Sequence, residues 1–157
     1  MTSGSTAASA DAETAVPPVA PDRVLPAPGG PAAPTLGIVI VSYNTRDLLA
    51  ACLDSLRADV DGGGPAARVH VVDNASDDGS AAMVAERFPW VSLTVLDSNR
   101  GFTAGNNVLL APWARGEAGT PDWALLLNPD TEVRPGALRT LLAAAEAGAT
   151  AVIQPGG

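Results

Sequence analysis

The stretch Trp123-Ala-Leu-Leu-Leu-Asn-Pro-Asp130 decides the fold, because it joins an apolar strand directly to an acidic turn. The run from Ala124 to Leu127 is continuously apolar and predicts a strand that is buried on both faces of a sheet. Pro129 has no backbone N–H to donate, so the strand should end before it. Open α/β sheets bind ligands just beyond the carboxyl ends of their strands, which makes Asp130 a candidate binding residue. The other interpretation is that Asp130 only caps the turn or the following helix.

The composition predicts one folded domain behind an irregular leader. The chain has 157 residues, of which 46% are hydrophobic and 17% charged, enough for one domain with a buried core. Residues 1–34 are mostly Ala, Pro, Gly, Ser and Thr, so we expect a disordered leader at 1–34 and a folded domain at 35–157. The leader lacks the basic start and apolar stretch of a secretory signal. No apolar run reaches the roughly 18 residues that a membrane span needs.

Charge and rare residues narrow the classes of function. A net charge of −8 argues against a nucleic-acid-binding protein, but it is compatible with a nucleotide held through a metal ion. The single cysteine, Cys52, excludes an internal disulfide, and its place on the apolar side of a predicted helix favours core packing. His70, the only histidine, lies inside a predicted strand, where a structural role is favoured. These features fit a cytoplasmic protein, including one that works at the inner face of the membrane.

Strands and helices are predicted to alternate after the leader. We predict strands at 36–42, 68–73, 91–96, 124–127 and 149–154, and helices at about 45–58, 80–87, 102–114 and 136–147. Thr45 is the expected N-cap of the first helix, whose apolar face should consist of Leu48, Leu49, Cys52, Leu53 and Leu56. The alternation predicts a three-layer α/β/α fold with a mostly parallel sheet and right-handed crossovers.

Three polar turns follow strands of this sheet. The turns are Tyr43–Asn44, Asp73–Asn74 and Asn128–Asp130. In a parallel sheet the carboxyl ends of the strands lie at one edge, so these turns should form a common binding crevice. Their oxygen atoms suit Mg²⁺ or Mn²⁺, with phosphate oxygens completing the coordination, and Asp73 is also able to accept hydrogen bonds from a base or ribose.

Several known motifs are absent from the sequence. No G-x-G-x-x-G follows the first strand, so a nicotinamide-dependent oxidoreductase is disfavoured although it shares the fold class. No G-x-x-x-x-G-K-[ST] is present, which excludes a P-loop, and no Ser, His and acid set suggests a hydrolase.

Four segments in order carry a resemblance to a known family. They are Val41-Ser-Tyr-Asn44, Val71-Val-Asp-Asn-Ala-Ser-Asp-Asp-Gly-Ser80, Asn99-Arg-Gly-Phe-Thr-Ala-Gly-Asn-Asn107 and Leu126-Leu-Asn-Pro-Asp-Thr131. Together they resemble the nucleotide-sugar-binding half of a family 2 glycosyltransferase with the Rossmann-like GT-A fold, in particular the bacterial rhamnosyltransferase-like group. The resemblance covers about 35–154.

The resemblance implies a set of substrate-binding residues. They are Val41, Ser42, Tyr43, Asn44, Asp73, Asn74, Ser76, Asn99, Gly101, Phe102, Gly105, Asn107, Asn128 and Asp130. The first four would flank the base and ribose, and Asp73 would bind the base in a loop shaped by Asn74 and Ser76. The segment 99–107 would close over the sugar-nucleotide. Asn128-Pro-Asp130 takes the place of the Asp-x-Asp motif, with Asp130 as the ligand of Mg²⁺ or Mn²⁺ and Asn where the first acid usually stands.

The same resemblance implies an inverting transfer of a sugar from a nucleotide-diphosphate-sugar to an acceptor hydroxyl. The acceptor would be a glycan or lipid-linked glycan in cell-wall or surface polysaccharide synthesis. Glu132 is a candidate helper at the metal, although a solvated loop acid is the simpler interpretation. The family's general base lies in an acidic motif well after the Asp-x-Asp strand, so we expect it beyond Gly157 and assign no catalytic residue here. The chain alone would then bind the donor without turnover, and the alternative is a non-catalytic nucleotide-binding or interaction domain.

Overall fold

The structure, a computed structural model, describes Val24–Leu25 and residues 35–148. Its strands are β1 (Val24–Leu25), β2 (Leu36–Ser42), β3 (Ala67–Asp73), β4 (Ser92–Val95) and β5 (Trp123–Leu127). Its helices are α1 (Arg46–Asp61), α2 (Ser80–Arg87), α3 (Gly101–Ala114) and α4 (Ala137–Glu146). The predicted alternation of strand and helix is confirmed from β2 to α4. The predicted strand at 149–154 and most of the predicted leader lie outside the described residues, and β1 is the described part of that leader.

The sheet is parallel from β2 onward in the chain. β2 lies at its centre and pairs in parallel with β3 on one side and β5 on the other. The outer edge of β3 pairs in parallel with β4 and, nearer its start, in antiparallel with the short β1. The parallel order β4-β3-β2-β5 places the carboxyl ends of all four strands at one edge, which we call the rim together with the loops that follow those ends.

The central strands contribute to two cores, one on each face of the sheet. In β2, Ile38 and Ile40 pack into the core formed with α1, α2 and α4. The alternating residues Val39 and Val41 belong to the second core, formed with α3. Because successive side chains of a strand point to opposite faces, one apolar run covers both layers. The predicted three-layer α/β/α arrangement is therefore confirmed.

Two predictions of burial are wrong. β5 is not buried on both faces, since the side chain of Leu126 is 44% exposed and Trp123 is also exposed. Among the described residues β5 pairs only with β2, so it lies at the edge of the described sheet, and of its side chains only Leu125 and Leu127 pack against the larger core. Leu48 is exposed as well, because it lies about 100° around α1 from the centre of the buried stripe.

The two residues assigned structural roles are both buried. Cys52 belongs to the larger core, as predicted. His70 is buried and packs edge-on against Trp113, with 5.5 Å between the ring centroids. Among the described residues, no helix combines the length and apolar character required to cross a membrane.

Candidate functional site

The loops after β2 and β3 are joined to each other by hydrogen bonds. The backbone N–H of Asn44 donates to the Ser76 hydroxyl at 3.0 Å, and the Asn44 side-chain oxygen accepts from the N–H of Asp77 at 2.9 Å. Asn44 and Ala75 both adopt positive φ angles, 52° and 64°, which Asn tolerates better than most residues. The two loops therefore form one connected unit at the rim.

The predicted N-cap of α1 works differently from the expectation. Thr45 occupies the N-cap position, but its hydroxyl is hydrogen-bonded to the Ser42 hydroxyl at 2.9 Å and makes no cap bond. The first N–H of the helix, that of Arg46, donates instead to Asp78 at 2.9 Å. A tertiary partner replaces the local cap because the loop after β3 lies against the start of α1.

Asp78 connects the starts of two helices, and the sequence analysis did not identify it. Its second carboxylate oxygen accepts from the backbone N–H of Ser80 at 2.9 Å, at the first residue of α2. Burial alone would raise the pKa of Asp78, but hydrogen bonds from the Ser80 hydroxyl and from Arg46 outweigh it, so the pKa lies below its ordinary value. An Asp two residues before a predicted helix is a capping signal that would have found it.

Asp73 ends β3 with one carboxylate oxygen unused. The residue is 1% exposed, and its Oδ2 accepts from the N–H of Ser76 at 2.9 Å. Its Oδ1 is buried and has no hydrogen-bond partner among the described residues. A buried acceptor without a partner costs about 1–3 kcal/mol, so such an atom needs an explanation. A ligand that donates a hydrogen bond to Asp73 Oδ1 would explain why this atom has no partner in the described part of the free chain.

Two asparagines connect the end of β3 to the start of α3. The side-chain NH₂ of Asn74 donates to the side-chain oxygen of Asn99 at 2.8 Å, while the side-chain oxygen of Asn74 accepts from the N–H of Arg100 at 2.8 Å. Asn99 also accepts from the N–H of Gly101 at 2.9 Å. These bonds bring the N-terminus of α3 to the rim, and the N-terminal end of a helix favours negative charge.

The Arg100 guanidinium lies beside the same loop and contacts an acid. It donates to Asp97 at 3.0 Å. That hydrogen bond, with a second from Ser98, holds the pKa of Asp97 below its ordinary value. The positive charge of Arg100 is therefore already paired with a carboxylate.

Helix α3 approaches β2 closely at a glycine. A Cβ atom at Gly105 would lie 2.8 Å from Cγ1 of Val41, so a side chain there would require a shift. The neighbouring Asn106, which the sequence analysis did not single out, is buried and donates to the carbonyl oxygen of Phe102 at 2.9 Å. Phe102 is itself 55% exposed, and Asn107 is exposed.

The turn after β5 lies at the same rim. Ile40 of β2 is opposite Leu127, so Asn128 follows in register just before the end of β2. The N–H of Thr131 donates to the Asn128 carbonyl oxygen at 3.2 Å, and the side chains of Asn128 and Asp130 are exposed. Only β2 separates β5 from β3, so the two strand ends are about 10 Å apart.

The structure thus brings the predicted residues to one edge. Residues of the strand ends and adjoining loops are Val41, Ser42, Tyr43, Asn44, Asp73, Asn74, Ser76, Asn99, Asn128 and Asp130, and those of α3 are Gly101, Phe102, Gly105 and Asn107. The helix after Asp130 is capped by Asp59 and not by Asp130, whose carboxylate stays exposed. Its role as a helix cap is therefore excluded.

The donor set at Asp130 fits one kind of metal site. Within the described part of the chain, no group of three His, Cys, Asp or Glu side chains is arranged to hold an ion. A closed all-protein site is therefore absent there. Mg²⁺ is commonly held by one or two carboxylates with substrate phosphates completing its shell, and an exposed Asp130 beside Asn128 fits that arrangement.

Known proteins share this fold and sequence. Two curated relatives match over 115 residues. The N-acetylglucosaminyl-diphospho-decaprenol L-rhamnosyltransferase of Mycobacterium tuberculosis is 32% identical, across 70% of this chain and 36% of the relative. The succinoglycan biosynthesis protein ExoO of Rhizobium meliloti is 34% identical, across 73% of this chain and 30% of the relative. The chain spans about a third of the length of these relatives.

Solved structures are similar as well. The mannosyltransferase PcManGT from Pyrobaculum calidifontis, solved with GDP-Man and Mn²⁺, is 26% identical with a TM-score of 0.52, across 73% of this chain and 32% of that one. S. aureus TarS, at 20% identity and a TM-score of 0.54, shares the fold across 72% of this chain and 32% of its own. The model of the family described as glycosyl transferase family 2 matches residues 37–156. By this match the chain belongs to glycosyl transferase family 2.

Proposed function

We propose that this chain binds the donor of a sugar transferase, a nucleotide-diphosphate-sugar, along the rim of the sheet. The whole protein would transfer the sugar to an acceptor hydroxyl with inversion, in the synthesis of a cell-wall or surface polysaccharide. The observation that carries the proposal is the buried, unpartnered Oδ1 of Asp73 at the same edge as the exposed carboxylate of Asp130. The Asp73 oxygen suits a neutral base, and the Asp130 carboxylate suits a metal-bound diphosphate.

The base would be recognised at the end of β3. An ionised carboxylate only accepts hydrogen bonds, so Asp73 Oδ1 matches a ring N–H such as that of uracil or thymine. The other oxygen of Asp73 is already bonded to the N–H of Ser76, which fixes the carboxylate in place. Tyr43 and Asn44, on the joined loop, would lie beside the base and ribose. Binding would thus remove the unsatisfied acceptor that the free chain carries.

The diphosphate would lie between the turn after β5 and the start of α3. Asp130, assisted by the Asn128 amide oxygen, would hold Mg²⁺ or Mn²⁺, and a bound ion of this kind neutralises the charge that develops on the leaving oxygen. The N-terminal N–H groups of α3 would favour the same negative charge. Phe102, exposed on the first turn of α3, would lie close to the sugar.

The acceptor half of the reaction needs residues that this proposal does not assign. Inverting transfer requires a general base that removes the proton of the acceptor hydroxyl as the anomeric carbon is attacked. We infer that in the whole protein this base lies beyond Gly157. An acceptor linked to a lipid would place the reaction at the inner face of the membrane, and the mycobacterial relative is named for a decaprenol-linked acceptor.

A second candidate function is a non-catalytic nucleotide-binding or interaction domain. The observation in its favour is that, among the described residues, no three His, Cys, Asp or Glu side chains are arranged to hold a metal ion. Such a domain would keep the fold and lose the metal-dependent step.

Titration calorimetry separates the two candidates. Uridine diphosphate and thymidine diphosphate are titrated into the chain with and without Mn²⁺. The donor-site proposal expects binding that Mn²⁺ strengthens. Binding that is the same with and without Mn²⁺, or no binding at all, contradicts the donor site and leaves the interaction domain. A second assay supplies nucleotide-sugars and Mn²⁺ to the chain alone, and sustained sugar transfer would refute the placement of the base beyond Gly157.

A further inference from the structure

One face of α1 contacts the chain segment that carries Asp130. We call Asn128–Gly136, between β5 and α4, the β5–α4 segment. Cys52, Ser55 and Asp59 contact this segment or the first turn of α4. Their spacing of i, i+3 and i+7 places them on one face of a helix, so three successive turns of α1 meet the same stretch of chain.

The contacts at the start and middle of the segment come from Cys52 and Ser55. The thiol of Cys52 lies 3.8 Å from the carbonyl oxygen of Asn128. The Ser55 hydroxyl accepts from the N–H of Val133 at 2.9 Å and donates to the Cys52 carbonyl oxygen at 2.7 Å. Asp130 therefore lies between two residues whose backbone groups contact α1.

The contact at the end of the segment is made by a buried carboxylate. Asp59 is 3% exposed, and its two oxygens accept from the N–H groups of Gly136 and Leu138, the latter at 3.2 Å. Gly136 is the N-cap position of α4 and has no side chain with which to cap the helix itself. Burying a carboxylate is costly unless it is hydrogen-bonded, and a helix N-terminus provides both N–H groups and a favourable dipole.

The chain around Asp59 also restricts its position. The carbonyl oxygen of Asp59 accepts from the N–H of Gly64 at 2.9 Å. A Cβ atom at Gly64 would lie 2.8 Å from that oxygen, and the Gly62–Gly64 turn thus packs directly on Asp59. The carboxylate therefore occupies one fixed place between α1 and α4.

We infer that Ser55 and Asp59 are positioning residues of the donor site, because they fix the segment that holds Asp130. The inference rests on the proposed function for its role in binding. An exposed metal ligand in a nine-residue connection would otherwise sample many positions, and each one away from the diphosphate would lower the affinity for the metal complex. Anchoring both sides of Asp130 on one rigid helix removes that freedom.

The binding test compares Asp59→Asn and Ser55→Ala with Asp54→Asn as the matched control. Asp54 lies on the same helix, is exposed and pairs with Arg87, so its variant makes the same charge change away from the segment. In Asp59→Asn and Ser55→Ala we expect the Mn²⁺-dependent affinity for uridine diphosphate to fall about tenfold or more. The affinity measured without metal should be unchanged. The control variant should match the wild type in its affinity with Mn²⁺ and in its affinity without metal.

A second measurement does not depend on nucleotide binding. Cys52 is the only cysteine and lies beneath Asn128, so its rate of alkylation by iodoacetamide in the folded chain reports how often the segment leaves α1. We expect this rate to rise about tenfold or more in both variants, because a lost hydrogen bond favours local opening. Asp54→Asn should leave it unchanged.

The outcomes separate this inference from the proposed function. Lower thermal stability with wild-type alkylation rate and wild-type Mn²⁺-dependent affinity would mean that Asp59 and Ser55 only stabilise the fold, and would overturn the inference. Faster alkylation with unchanged Mn²⁺-dependent affinity would overturn it too. If the wild type shows no Mn²⁺-dependent binding, the proposed function fails, and the alkylation rates alone then decide whether α1 fixes the segment.

Discussion

Ser42 and Asp73 lie opposite each other at the carboxyl ends of two neighbouring parallel strands, and the N–H of Asn74 donates to the Ser42 carbonyl oxygen at 2.8 Å. The two strands therefore stay joined one residue beyond their paired ends. The loops that follow are joined in turn through Asn44 and Ser76. This continuity gives the rim a fixed geometry before any ligand binds, which lowers the cost of ordering it on binding.

Replacing the proposed metal ligand should separate binding from stability. In Asp130→Ala we expect the Mn²⁺-dependent binding of uridine diphosphate to be lost, because no other carboxylate among the described residues lies in that turn except the exposed Glu132. The free energy of unfolding should change by no more than about 0.5 kcal/mol, since the side chain is exposed. Calorimetry and thermal denaturation measure the two quantities. Asp54→Ala, which removes an exposed carboxylate of α1 outside that turn, is the control, and a large loss of stability with unchanged binding in Asp130→Ala would contradict the assignment.

Replacing Asp73 should weaken recognition of the base. In Asp73→Asn the side chain keeps one acceptor oxygen, which the N–H of Ser76 occupies in the wild type, and gains an NH₂ group that donates. A ring N–H of the base would then meet a donor, and we expect the affinity for uridine diphosphate to fall about tenfold to a hundredfold. Asp77→Asn, an exposed change in the same loop, is the control. Equal affinities in the two variants would remove Asp73 from the site.

The ionisation of Cys52 should affect stability at high pH. Burial, and then the charge of Asp130, raises the pKa of the Cys52 thiol from 9.0 to about 12. A pKa raised by folding means that this residue's contribution to stability is complete below about pH 9 and is lost as pH rises toward 12. The free energy of unfolding of the wild type should therefore fall more steeply above pH 9 than that of Cys52→Ala. Parallel curves from chemical denaturation would show that the thiol titrates normally.

Adding a methyl group at Gly105 should disturb the contact between α3 and β2. A Cβ there would lie 2.8 Å from Val41, so we expect Gly105→Ala to lower the free energy of unfolding by about 1–3 kcal/mol despite the better helix propensity of alanine. The shift of α3 should also weaken nucleotide binding. Ala104→Ser, at the exposed neighbouring position, is the control. A stabilised Gly105→Ala protein would show that the helix moves without cost.

The sequence predicts the sheet well because its signals are local. The β-branched run at 36–42 and the polar residues after it are enough to place β2 and its turn, and the same holds for β3 up to Asp73. The motifs that resemble the family all lie at strand ends or at the start of α3, and the structure brings them to one edge. Local patterns thus identify the elements, and the topology of a parallel sheet places their ends together.

What the sequence does not predict depends on contacts between distant residues. Leu126 is exposed on β5, which lies at the edge of the described sheet, and no local pattern shows that placement. Asp59 lies just past the predicted end of the first helix, yet it belongs to α1 and is buried because the N-terminus of α4 lies against it. Likewise, Thr45 has the residue type of an N-cap, but Asp78 supplies the bond. For Asp59 and for the start of α1, a partner distant in the sequence decides the outcome.

Nuclear magnetic resonance with Mn²⁺ tests the central claim that the rim is one donor site. Mn²⁺ is added to isotope-labelled chain with uridine diphosphate, and the broadening of each backbone amide signal is measured. The account predicts strong broadening at Thr131 and at Gly101, with little effect at Leu36 and Trp123, which lie at the opposite ends of β2 and β5. Broadening centred on the opposite edge, or the same broadening in Asp130→Ala, would contradict it.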